Sequence, residues 1–102
     1  MLLNIFDIQQ LPSAEELVTN IYKNESIRIE RIVSSGQITG WYDQPETEFV
    51  VLLDGEAGIE YENGSRLTLT KGDTLLIKPH EKHRVYYTSE NPPCIWLCVF
   101  WP

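Results

Sequence analysis

The sequence predicts one all-β domain, a sandwich or barrel, with a short helix ahead of it. Three observations carry that prediction. From Ser26 onward apolar and polar residues alternate with a period of two, which places them on opposite faces of extended strands. Turn signals at Asp54-Gly55, Asn63-Gly64 and Lys71-Gly72-Asp73 cut the chain at strand-length intervals. The length of 102 residues suits one domain, and no linker, repeat or low-complexity stretch divides it. The expected organisation is an N-terminal segment over 1–25, packed through its helix on a β-barrel formed by 26–102.

The first element is a helix over 14–22. Ser13 stands three residues before Glu16, the spacing of a capping box, and Leu17 and Ile21 share a helical face with Val18 and Tyr22 beside it. A helix this short does not hold by itself and must pack on something. Ile27, Ile29 and Val33 then share one face of a strand, with Arg28 and Glu30 on the other. Phe49 to Leu53 is a continuous apolar run, closed by Asp54-Gly55. Ala57, Ile59 and Tyr61 alternate with Gly58, Glu60 and Glu62, and Asn63-Gly64 is the strongest short hairpin signal, leading into Leu67 and Leu69. Leu75 and Ile77 mark the next strand, and His83, Val85 and Tyr87 share a face of the one after.

Cys94 to Trp101 closes the chain and is apolar on both faces. Such a strand needs cover on both. The barrel interior takes one face; the helix or a second subunit takes the other. Cys94 and Cys98 lie about 13 Å apart in an extended strand, too far for a disulfide, and read as buried free thiols.

Fifteen acidic against eight basic residues give a net charge of −7. That balance excludes a nucleic-acid binder, which needs a basic surface against phosphates, and disfavours docking on anionic membrane. No apolar run approaches the roughly 18 residues of a spanning helix, and the N-terminal stretch through Asp7 lacks the basic start of a signal peptide. The expected setting is cytoplasmic and the expected partner a small molecule.

Chemistry concentrates between Tyr42 and Glu48. In an extended segment Tyr42, Gln44, Glu46 and Glu48 point one way, and Val50 and Leu52 continue that parity, so Glu48 faces the core. An inward carboxylate demands a hydrogen bond, a counter-charge or a metal. His83 shares the inward parity of Val85 and Tyr87. A glutamate and a histidine projecting into one barrel make a minimal metal or acid–base constellation, and a self-satisfied ion pair has the same pattern. Trp41 and Tyr42 are pocket candidates beside the barrel, and Arg31 is a candidate anchor for a ligand carboxylate or a partner for an acid such as Glu30.

At these residues the chain resembles the cupins. Gly40 followed by Glu48-Phe-Val-Val-Leu-Leu-Asp-Gly55 is similar to their first motif, and Gly72-Asp73 through Pro79 to His83 to their second, with the Asn63-Gly64 hairpin between. The likeness spans about residues 26–101 and implies a cupin-type jelly-roll β-barrel, homodimeric, with any metal inside the barrel mouth. Cupin metal centres use two first-motif histidines, a glutamate and a second-motif histidine. Here the first two positions hold Tyr42 and Gln44, while Glu48 and His83 are kept. The implied metal set is therefore Gln44, Glu48 and His83, with Asp43 as the alternative ligand if a bulge turns the segment. Such a set holds a divalent ion (Mn, Fe, Zn or Ni) weakly. His80 occupies the turn before His83, and Tyr42 and His80 are the candidates for moving protons. Two readings stay open: a metal-dependent oxygenase or isomerase acting on a small polar molecule, and a metal-free binding or sensing domain or structural dimer with a vestigial pocket.

Overall fold

The computed structural model describes residues 2–9 and 14–102. Eight strands are present: β1 Leu17–Lys23, β2 Arg28–Ser34, β3 Thr47–Asp54, β4 Ala57–Tyr61, β5 Arg66–Leu69, β6 Thr74–Ile77, β7 His83–Thr88 and β8 Cys94–Trp101. They form a five-stranded sheet in the order β1-β2-β8-β3-β6 and a three-stranded sheet in the order β5-β4-β7, antiparallel throughout. The inward residues of both sheets, among them Leu52, Ala57, Ile59, Cys94 and Trp96, build one core.

The expected helix over 14–22 is absent, and no described residue is helical. Its place is taken by β1, which pairs with β2 from Leu17 opposite Val33 to Lys23 opposite Arg28. The physical reason lies in the side chains: Val18, Thr19, Ile21 and Tyr22 are branched or aromatic types that suit a pleated surface, and the open edge of β2 satisfies a backbone that a two-turn helix would leave half-bonded. Ser13, the capping residue of that expectation, lies outside the described residues. Beyond β1, Asn24 holds the β1–β2 turn, its Oδ1 accepting from Ser26 N and Ile27 N at 2.8 Å each.

The Asn63-Gly64 hairpin forms with a different turn from the two-residue kind. Gly64 N donates to Tyr61 O at 2.9 Å, and only Gly64 of the pair has a positive φ, +88°. The β4–β5 connection is thus an ordinary turn ending in a left-handed glycine.

The N-terminal residues lie against the outer face of the five-stranded sheet. Arg31, on that face and only 8% exposed, donates to Asp7 O at 2.8 Å, Ile5 O at 3.4 Å and Thr19 Oγ1 at 3.2 Å. The segment that Arg31 holds is not helical and carries a turn at Ile5-Phe6, Asp7 N donating to Asn4 O at 3.0 Å. Phe49, Leu76 and Trp101 stay 36%, 50% and 36% exposed.

Candidate functional site

Between the sheets lies a cavity of about 400 Å³. Its walls are mostly apolar: Val50, Ile59, Leu69, Leu75, Ile77, Val85, Trp96 and Phe100 line it. Polar groups gather on the side formed by β1, β2, the segment before β3, and the start of β7.

The strand parity of β3 turns Glu48, Val50 and Leu52 inward, and its register sets Glu48 between Ile77 of β6 and Phe100 of β8. Glu48 is 8% exposed and accepts a hydrogen bond from Gln44 Nε2 at 3.1 Å. Burial pushes its carboxyl above the usual range; hydrogen bonds from Gln44 and the Cys98 thiol, and the charges of His83 and Arg28, only partly offset this. The Cys98 thiol is pushed well up by its own burial and by Glu48, so it stays protonated and serves as a donor.

His83 is 4% exposed and opens β7. Its backbone exchanges hydrogen bonds with Tyr42, N to O at 3.1 Å and Tyr42 N to His83 O at 2.7 Å, which brings the two rings to 5.5 Å. The imidazole Nδ1 lies 2.8 Å from Glu81 O. A carbonyl only accepts, so Nδ1 carries a proton, and in this tautomer the neutral ring has its lone pair on Nε2. Burial first, then the charges of Glu16 and Glu48, raises the Tyr42 hydroxyl, which remains a phenol at neutral pH.

The structure thus brings together Tyr42, Gln44, Glu48, His83 and Val85 in one cavity wall. The other expected residues lie elsewhere. Asp43 and His80 pair outside it, Oδ1 to Nδ1 at 2.8 Å, both more than half exposed. Trp41 is 44% exposed with the Arg84 guanidinium over its ring at 4.9 Å. Arg31 faces the opposite side of the sheet. Tyr87 leaves the parity of His83 and Val85 because β7 bulges at Tyr86: Gly58 pairs with Tyr87 and Ile59 with Val85. One extra residue reverses every later side chain.

The lining also includes residues outside the expected set, among them Glu16, Arg28, Glu30, Ser34, Thr39 and Cys98. Arg28 and Glu30 looked like the solvent face of β2, yet that parity (with Ile32 and Ser34) faces the cavity. Arg28 binds Glu30 at 2.9 Å and Glu46 at 2.8 Å and lies 3.8 Å over the Phe100 ring. The signal available in the sequence was Ile32-x-Ser34, an alternation that continues the Arg28 and Glu30 parity into the core.

Residues 29–100 match the cupin domain family. This chain is a cupin. Its structure is similar to that of a proposed mannose-6-phosphate isomerase of Ralstonia eutropha JMP134, with 32% identity, a TM-score of 0.92, and coverage of 99% of this chain and 97% of that one. A cupin superfamily protein of Desulfitobacterium hafniense DCB-2 aligns at 15% identity and TM-score 0.79, over 91% and 83% of the two chains. The DMSP lyase of Ruegeria pomeroyi DSS-3 aligns at 16% identity and TM-score 0.74, over 85% of this chain and 47% of that one. The last two likenesses concern the fold alone. No curated protein matches this sequence.

Cupins often bind divalent metals, and the donors here fit one poorly. Among the described residues no three of His, Cys, Asp and Glu gather as metal ligands. Gln44 turns its amide N–H toward Glu48, as it must, since an amide oxygen there would repel the carboxylate. Asp43 is engaged by His80. Glu48 and His83 remain as two donors without a third.

Proposed function

We propose that this cupin binds a small organic molecule in the barrel cavity through Glu48, His83, Gln44 and Tyr42, without a resident metal. The observation that supports this most directly is the cavity itself: about 400 Å³, within the range of small-molecule sites, with an apolar floor and a few convergent polar groups. Glu48 and His83 orient the ligand by accepting its hydrogen bonds. A phosphorylated sugar, the substrate class in the name of the Ralstonia protein, is disfavoured here. The lining offers one guanidinium, Arg28, and two carboxylates already hold it.

A second reading, a weakly held Mn²⁺, Fe²⁺, Zn²⁺ or Ni²⁺ on Glu48 and His83, draws on the imidazole tautomer, which leaves Nε2 free as a ligand. The chain is also proposed to pair with a second copy through the outer face carrying Phe49, Leu76 and Trp101.

Thermal denaturation at pH 7.5 with a small-molecule panel, and separately with each metal, tests the two readings. The proposal expects stabilisation by organic ligands that survives a chelator and is lost when the cavity is filled by Leu75→Trp. Stabilisation by metal alone, abolished by His83→Ala, replaces it with the second reading. Stabilisation by neither defeats both.

A further inference from the structure

We propose that the cavity's ligand is a small organic cation, an ammonium group on an apolar body, seated among Glu16, Glu48 and His83. This rests on the reading of the cavity as a small-molecule site and deepens it.

The argument starts from the hydrogen-bonding inventory. Glu16, Glu30 and Glu48 all line the cavity, and they are its carboxylates; Arg28 is its one guanidinium. Arg28 is engaged twice, by Glu30 at 2.9 Å and by Glu46 at 2.8 Å, and stacked on Phe100 at 3.8 Å. Glu16 has neither an ion pair nor a hydrogen bond to any described residue, although it is only partly exposed. Burial accordingly raises its carboxyl, and its charge is felt by Tyr42 and Cys98 across the cavity.

His83, 4% exposed, adds a second and independent pointer. Its Nδ1 proton goes to Glu81 O at 2.8 Å, so the Nε2 lone pair has no donor among the described residues. The Gln44 amide and the Cys98 thiol both donate to Glu48, which leaves the Tyr42 hydroxyl as the donor still open beside His83. The wall therefore presents acceptors in excess and negative charge in excess. A ligand that completes it brings N–H donors and positive charge, and an ammonium has three donors and no acceptor. The remaining walls, Trp96, Phe100 and the aliphatic residues around them, are apolar and suit a hydrocarbon body. The Tyr42 ring, 5.5 Å from that of His83, lines the same wall and adds an aromatic group near the cation. Anions meet unpaired carboxylates on entry and are rejected.

Three probes of one shape test the assignment: benzylammonium, benzyl alcohol and benzoate, titrated calorimetrically into the full chain at pH 7.5. Benzylammonium is expected to bind at least about tenfold tighter than the alcohol, and benzoate not to bind. Glu16→Gln, just ahead of β1 and partly exposed, is expected to cut benzylammonium affinity about tenfold and to affect the alcohol far less. Equal or stronger binding of the alcohol or benzoate overturns the cation assignment and leaves the cavity reading in place. So does a Glu16→Gln variant that weakens the ammonium and the alcohol alike. Absence of binding by all three, with Leu75→Trp behaving as the unaltered protein does, overturns both.

Discussion

Glu48→Gln keeps the side chain's shape, retains an oxygen for the Gln44 and Cys98 hydrogen bonds, and removes the buried charge. In the folded chain burial lifts the Glu48 carboxyl above its ordinary value of 4.5. Between the unfolded and folded values the native state holds a proton that the unfolded state releases. Stability therefore falls as pH rises through that window, and the full cost is present above it. An ionised carboxylate taken from water costs several kcal/mol, and hydrogen bonds to it return about 1.5 kcal/mol each, so a penalty on the order of 1 kcal/mol remains. Glu48→Gln is expected to recover it at pH 7.5, a rise in Tm of about 4–8 °C for a domain of this size. The advantage is expected to shrink as pH falls through the raised native value toward that of the unfolded chain. Urea denaturation of both proteins across that range reads the difference directly. A variant less stable at pH 7.5, or a difference that does not change with pH, would refute the reasoning and mean that Glu48 is stabilised by its neighbours rather than strained by burial.

Gly55 and Gly64 share a left-handed φ, +87° and +88°, but differ in surroundings. A Cβ at Gly55 meets Cys94 Cα and Pro93 O at 2.8 Å, whereas Gly64 has open space. Gly64→Ala is expected to cost about 1 kcal/mol from backbone strain alone, and Gly55→Ala at least about 2 kcal/mol more from the clash with main chain; equal costs in denaturant would mean that the β8 backbone yields freely. Arg31→Met removes the donors to Ile5 O and Asp7 O, and faster amide exchange over residues 2–9 is expected with the sheets unaffected; unchanged exchange there would show that apolar contacts alone hold the segment. Sedimentation is expected to show a dimer at micromolar concentration, converted to monomer by Leu76→Glu; a monomer before the substitution would rule out the outer face as a subunit contact.

The strands of the barrel were legible because their signal is local. Val50 and Leu52, Ile59, Leu75 and Ile77 alternate against residues that stay outside, and the turns between carry glycine or aspartate. The N-terminal strand was not legible. Glu16, Leu17 and Ile21 satisfy a helical spacing as well as a strand one, and the choice was made by a partner, the β2 edge, which no local pattern reveals. Tyr87 fails for a related reason. The bulge at Tyr86 places that ring over Gly58, and the room Gly58 leaves by lacking a side chain sits on another strand, β4.

The site divides along the same line. Glu48 and His83 were found by parity because each continues an apolar face, so their burial looked anomalous and called for chemistry. Arg28 and Glu30 are not legible as cavity residues because a polar face beside Ile27, Ile29 and Val33 has the pattern of a solvated one, and Glu16 because its spacing from Ser13 fits a helix cap. In the structure that polar face is the inner wall, and the apolar face lies outward, with Val33 buried and Ile27 and Ile29 half-buried. A barrel with charged residues along one inner wall cannot be a packed core there, since each charge would cost several kcal/mol without a partner. Arg28 settles two of them. Glu16 and Glu48 turn their carboxyl groups on a space large enough to hold a molecule, and the proposed ammonium ligand is the counter-charge that such a space would take.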